Sequence, residues 1–134
     1  MSGEWRVASG EVRHYRDLLV WQKSMSLAER CYQSTLRFDA IHQWSLGHQL
    51  RKSCVSVPSN IAEGFGRHHT PEYVHHLRFS NGSNNELQTQ MELARRLGAL
   101  NNDAAQVLII DSEEIGRMLH GLINSLERGR GPVD

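Results

Sequence analysis

Histidine is the first residue type in this sequence that could do chemistry. His68-His69 and His75-His76 flank Thr70-Pro71-Glu72, and Glu72-x-x-His75 is one copy of the Glu-x-x-His motif that di-iron helical bundles use to hold metal. Such a site needs a second copy on another helix. Glu63, Glu86, Glu113 and Glu114 have no histidine three residues on. Adjacent helical residues project about 100° apart, so paired histidines do not easily grip one ion. The pattern reads as exposed histidines of a loop and a helix start, and predicts no metal site and no cofactor. Nucleophilic catalysis has no better footing. Cys31 and Cys54 lie on or beside apolar stripes, where burial makes a thiol inert. There is no G-x-S-x-G, P-loop or G-x-G-x-x-G, and Gly64-Phe65-Gly66 ends a helical pattern with no strand before it. A non-enzymatic protein is expected.

Charged residues offer two further chemistries. Glu63 and Glu86 could form a carboxylate pair for acid–base work. They read better as partners for Arg51, Arg67 or Arg78, within the bundle or between subunits, because a buried charge must be paired. The basic positions Arg51, Lys52, Arg67, Arg78, Arg95 and Arg96 are the candidates for binding nucleic acid. Of 15 basic residues, 13 are Arg, which favours forked contacts to carboxylate or phosphate. Acidic residues also number 15, so the net charge is zero and no whole-molecule field draws in a polyanion. Only a local patch, repeated around an oligomer, could do so.

The elements that position these residues are all helical. Leu50, Cys54, Val57, Ile61 and Phe65 recur at helical spacing, with no strand-like alternation. Pro58 interrupts that stripe and predicts a kinked helix. Small and polar neighbours (Ser56, Ser59, Asn60, Ala62, Glu63, Gly64) predict close packing, with Asn60 and Glu63 hydrogen-bonded in an interface. This helix is expected from about residues 42–45 to Gly64 or Gly66. A first helix is expected over Asp17–Arg37, with Leu18, Trp21, Met25, Ala28, Tyr32 and Thr35 as its buried seam. A third should start with Thr70 as cap and Pro71 in the first turn, and end at Gly98. Its stripe is Tyr73, Leu77, Leu87, Met91 and Ala94. Ser80–Asn85 looks like a turn, but the stripe resumes in phase at Leu87, so the helix is expected to continue. Gly82 within it predicts close approach by another helix. A fourth helix, from about 102 to Glu127, buries Leu108, Ile115, Met118, Leu119, Leu122 and Leu126.

Four such helices with short links predict one all-α domain, an antiparallel up-down-up-down four-helix bundle over residues 17–127. Residues 1–16 and 128–134 read as a flexible arm and tail. No apolar run of 18 residues predicts a membrane span, and the start lacks an apolar signal-peptide core. A cytoplasmic protein with reduced thiols is expected.

The run Val55-Ser-Val-Pro-Ser-Asn-Ile-Ala-Glu-Gly-Phe-Gly-Arg67 resembles the signature of a family of small bacterial four-helix bundles, first described as products of intervening sequences within large-subunit ribosomal RNA genes. The family pattern, roughly RRAxxSIPSNIAEGxxR, is met at Arg51, Ser56, Pro58 to Gly64 and Arg67, while Lys52 and Ser53 replace its usual Arg-Ala. Asp17–Lys23, Gly82-Ser83, Glu86-Leu87 and Ile115–Leu119 extend the resemblance to roughly residues 15–127. Members are similar to the accessory protein of diversity-generating retroelements, a strongly basic homopentameric ring that binds a reverse transcriptase and nucleic acid. The resemblance thus implies a homopentamer, with RNA, DNA or a reverse transcriptase as partner. This chain departs from that protein in being neutral. Pro58, Asn60, Glu63, Gly82 and Glu86 are the expected oligomer interface. The alternative is a protein-interaction scaffold without nucleic-acid affinity, ahead of a metal-dependent bundle enzyme.

Overall fold

A computed structural model describes residues 11–130. Most of the expected arm, residues 1–10, and the end of the expected tail, 131–134, lie outside the described residues. A 3-10 turn over Tyr15–Asp17 leads into α1 (Leu19–Thr35), a short α2 (Ala40–Gln43), α3 (Leu46–Gly66), α4 (Thr70–Arg96) and α5 (Asn102–Arg130). Among the described residues there is no strand.

The long helices pack in a bundle-like way, α1 and α4 each lying against both α3 and α5. Cross-helix contacts fix the register. Between α3 and α4, Ser56 meets Ser83, Val57 meets Ser80 and Asn60 meets His76. Between α4 and α5, Asn84 meets Ser112 and Arg78 meets Glu127. Between α1 and α5, Lys23 meets Glu114 and Arg30 meets Asp111. In each pair the numbers rise on one helix as they fall on the other.

Local chemistry explains the helix ends. Asp39 caps α2 by accepting from the His42 amide at 3.0 Å. Gly98, at φ +79°, turns the chain after α4. His69 is the residue before the first turn of α4, and it gives no side-chain cap. The expected Thr70 cap is therefore one position out: Thr70 is already helical, and Pro71 occupies the first turn. α5 runs through Gly129 to Arg130, three residues past the expected end at Glu127.

The core follows the expected stripes on three helices. Leu50, Cys54, Val57 and Ile61 of α3 are buried, as are Leu77, Leu87, Met91 and Ala94 of α4 and Leu108, Ile115, Met118, Leu119 and Leu122 of α5. α4 runs unbroken through Ser80–Asn85. It does so because Ser80 and Asn84 face inward and find partners there. Ser80 donates to the Val57 carbonyl at 2.8 Å, and Asn84 donates to the Ser112 carbonyl at 2.9 Å. The turn-like composition of this run is a buried polar layer.

α1 departs from the expected seam. Its buried residues are Val20, Ser24, Leu27, Cys31 and Thr35. Met25 and Tyr32 are 44 % and 45 % exposed. The helix carries two stripes of similar spacing, and the one holding Leu27 and Cys31 faces the core. Of the expected seam, Leu18 and Thr35 are buried and Trp21 and Ala28 pack half-buried against the core, while Met25 and Tyr32 are left on an outer flank.

Close helix approach is also displaced. A Cβ on Gly82 would meet nothing within 4 Å, so its lack of side chain serves no contact inside the chain. The tight crossing of α3 and α4 is at Gly64. A Cβ there would come within 2.8 Å of His76 Cβ and 3.1 Å of the Tyr73 carbonyl.

Candidate functional surfaces

The signature around Pro58 is built as a cluster of side-chain-to-backbone hydrogen bonds. Pro58 is buried inside the uninterrupted α3 and offers no N–H to the carbonyl one turn back. The three carbonyls just before it each take a side-chain donor. Ser59 donates to Val55 at 2.8 Å, Asn60 to Ser56 at 3.0 Å and Ser80 of α4 to Val57 at 2.8 Å. Asn60 also donates to the Ser56 hydroxyl, which lies 2.7 Å from Ser83 Oγ, and it lies 3.4 Å from His76 Nδ1. Asn60 thus bonds to Ser56 within α3 and reaches His76 of α4 in the same chain. Glu63 pairs with Arg67 at 2.6 Å.

The six basic candidates do not gather into one patch. Arg51 is half-buried, and its guanidinium works as a clamp. It donates to Thr35 Oγ1 at 2.9 Å, to Gln43 Oε1 at 2.6 Å and to the Gln43 carbonyl at 3.0 Å. It also lies 5.9 Å from the ring centres of both Tyr32 and Trp44. Arg51 therefore ties α2 to α1 and α3. Lys52 is exposed and, among the described residues, has no ion-pair or hydrogen-bond partner. Arg67 closes α3, whereas Arg95 and Arg96 close α4. The 27 residues of α4 span about 40 Å, which sets these groups at opposite ends.

Most of these cations are neutralised in place. Arg67 sits between Glu63 and Glu72, at 2.6 and 3.6 Å. Arg78 reaches Glu127 of α5 at 2.7 Å. Arg95 and Arg96 both grip Glu92, Arg96 at 2.8 Å. Hydrogen bonds from Arg95 first, then Arg96, hold the Glu92 carboxyl down to about 2. Glu86, expected beside an arginine, is exposed and has no partner among the described residues.

Metal and thiol chemistry find no geometry here. No group of three or more His, Cys, Asp or Glu is placed to hold an ion among the described residues. Glu72 faces Arg67 and His69. Burial pushes the Cys31 thiol up to about 12 and the Cys54 thiol up to about 11. Both are protonated and shielded at neutral pH.

One feature is not legible in the sequence. A groove of about 960 Å³ opens between α1 and α3, lined by Trp21, Met25, Tyr32, Val55, Pro58 and Ala62. Its signal is the second apolar stripe on α1, which helical spacing alone places in the core. Beyond its end, Ile41 and Trp44 of the α2 corner are each 80 % exposed.

These features define an all-helical protein with bundle-like packing and a large apolar surface; no described helix is long and apolar enough to cross a membrane. The chain belongs to the 23S rRNA-intervening sequence protein family, whose model matches residues 16–121. A solved structure of similar fold is the 1.70 Å crystal structure of a protein of unknown function from the S23 ribosomal protein family of Bacteroides thetaiotaomicron VPI-5482. It shares 22 % identity at a TM-score of 0.71, over 78 % of this chain and 97 % of that one. No curated protein matches the chain in sequence.

Proposed function

We propose that this protein is a non-enzymatic scaffold: an up-down-up-down antiparallel four-helix bundle whose copies assemble into a homo-oligomeric ring, a pentamer by family resemblance, in the cytoplasm. The register pairs between the long helices support the antiparallel arrangement. The observation that carries the scaffold reading is the apolar groove between α1 and α3, with Trp44 and Ile41 standing exposed beyond it. An apolar groove with exposed aromatic and aliphatic residues beside it is the kind of surface a partner covers. Trp, Tyr and Arg are also the residue types that dominate interface energetics.

A second reading is a nucleic-acid-binding or reverse-transcriptase accessory protein. Its support is the arginine excess, with Arg67, Arg78 and Arg96 on the exposed surface. Exposed ion pairs are worth only about 0–1 kcal/mol, so phosphates could compete for these guanidinium groups. Lys52 needs no such exchange. Arg51, held by Thr35 and Gln43, contributes least to this reading.

Light scattering coupled to size exclusion, followed by RNA and DNA binding on the same peak at two salt concentrations, separates the two. An oligomer that ignores nucleic acid at low salt, and captures a protein partner from nuclease-treated host extract, fits the scaffold. Binding that is lost at high salt fits the accessory reading, because phosphate contacts release counterions. A monomer that binds neither removes both.

A further inference from the structure

The chain carries two exposed apolar faces of different shape, and neither has a partner within the fold. One is the concave groove between α1 and α3. The other is a convex stripe along the outer side of α4. Phe79, Leu93 and Leu97 are 53 %, 46 % and 52 % exposed, and the side-chain-free Gly82 lies between them in open space. Glycine in an exposed helix interior is unfavourable relative to alanine. Nothing inside the chain recovers that cost, whereas the backbone of another helix could approach there.

The charges give the two faces a register. Lys52 stands on the outer side of α3 beside the groove, and Glu86 stands within the α4 stripe. Both are exposed, and neither has a partner among the described residues. Glu86 to Phe79 is seven residues, about 10 Å at 1.5 Å per residue, and so is Lys52 to Ser59. A second α4 laid antiparallel on α3, with its Glu86 at Lys52, therefore brings Phe79 level with Pro58 and Ser59. Gly82 then falls at Val55 and Ser56. In the other direction Leu93 and Leu97 reach the end where Trp44 and Ile41 protrude. A single placement thus covers both apolar faces and pairs two unpartnered charges.

We infer that the α4 stripe of one copy docks into the α1/α3 groove of the next, antiparallel to α3, with Glu86 of one copy on Lys52 of the other. This inference rests on the homo-oligomer reading above and adds which surfaces meet. The two faces differ, so the contact is head-to-tail: every copy offers both halves, and assembly closes into a ring or continues as a filament.

The test is light scattering of variants whose far-UV circular dichroism matches wild type. Val55 and Phe79 are exposed, so Val55→Arg and Phe79→Arg leave the core intact. Each variant is expected to be a monomer. Mixed together they should give a one-to-one dimer, since the intact groove of one accepts the intact stripe of the other. Lys52→Glu and Glu86→Lys should each weaken assembly about tenfold or more, through like charges brought together, and their combination should restore it. A wild-type oligomer indifferent to Val55→Arg, or two monomeric variants that fail to pair, overturns the inference alone. A wild-type monomer overturns the oligomer reading and this inference with it.

Discussion

Asn84 of α4 and Ser112 of α5 hold each other by two hydrogen bonds inside the core. The Ser112 hydroxyl donates to Asn84 Oδ1 at 2.7 Å, and the Asn84 amide donates back to the Ser112 carbonyl at 2.9 Å. Both residues are fully buried. Gln88 adds a third bond, donating to Ser112 Oγ at 3.0 Å. A one-turn slip of α5 against α4 would break all three and strand buried polar groups, so this layer pins the register. Ser112→Ala is expected to lower stability by about 1–3 kcal/mol, the cost of a buried partner left unsatisfied. Asn84→Ala should cost at least as much, because it also leaves a cavity. In urea denaturation the double variant should lose clearly less than the sum of the two. Strict additivity would mean that the pair does not act as a unit.

Gly64 and Gly82 make opposite predictions. Gly64→Ala forces a Cβ to within 2.8 Å of His76 Cβ and 3.1 Å of the Tyr73 carbonyl, so α3 and α4 must part. Overpacking of this kind costs about 1–3 kcal/mol. Gly82→Ala meets open space and gains helix propensity, about 1 kcal/mol in favour of the folded chain. Thermal unfolding of both variants, at protein concentrations low enough to keep the chain monomeric, should move in opposite directions. At high concentration Gly82→Ala should lose assembly while keeping its fold.

The sequence was legible where burial and periodicity agreed. The α3 stripe of Leu50, Cys54, Val57 and Ile61 carries the larger apolar side chains of its helix, so it is the face that meets the core. α1 has two such stripes. Trp21, Met25 and Tyr32 share the helical spacing of the residues that point inward, and periodicity alone cannot say which of two apolar flanks meets the core. The stripe left outside became the groove. The polar run Ser80–Asn85 failed as a propensity argument for the opposite reason. Its side chains find carbonyl partners only across the bundle, at Val57 and Ser112, and local sequence does not contain those contacts. Basic residues were the least legible group. Whether an arginine is free depends on carboxylates far away in the chain, as with Arg78 and Glu127, 49 positions apart.

Arg51 is expected to be structural, and lysine should not replace it. A lysine ammonium cannot donate in the forked geometry that reaches Thr35 Oγ1, Gln43 Oε1 and the Gln43 carbonyl together. Arg51→Lys should loosen the α2 corner while the long helices persist. The measurement is hydrogen exchange: amides of residues 40–45 should lose protection in the variant, with Leu77 and Leu119 unchanged. Equal loss throughout would instead make Arg51 a support of the whole bundle.

The two thiols set a limit on stability at high pH. Burial raises Cys31 to about 12 and Cys54 to about 11, above the ordinary thiol value of about 8.5. Between that value and the raised ones the unfolded chain has released protons that the folded chain still holds, so stability falls as pH rises. The contribution is complete below about pH 8.5 and is lost progressively through pH 9 to 11, with carboxylates and arginines unchanged in charge over that window. Replacing both cysteines, as Cys31→Ala and Cys54→Ala, should flatten this decline while lowering stability at pH 7 through lost packing. Iodoacetamide at pH 8 should label neither thiol in the folded chain and both in urea. Rapid labelling of native protein would mean that the α1/α3 seam opens far more often than its buried packing implies.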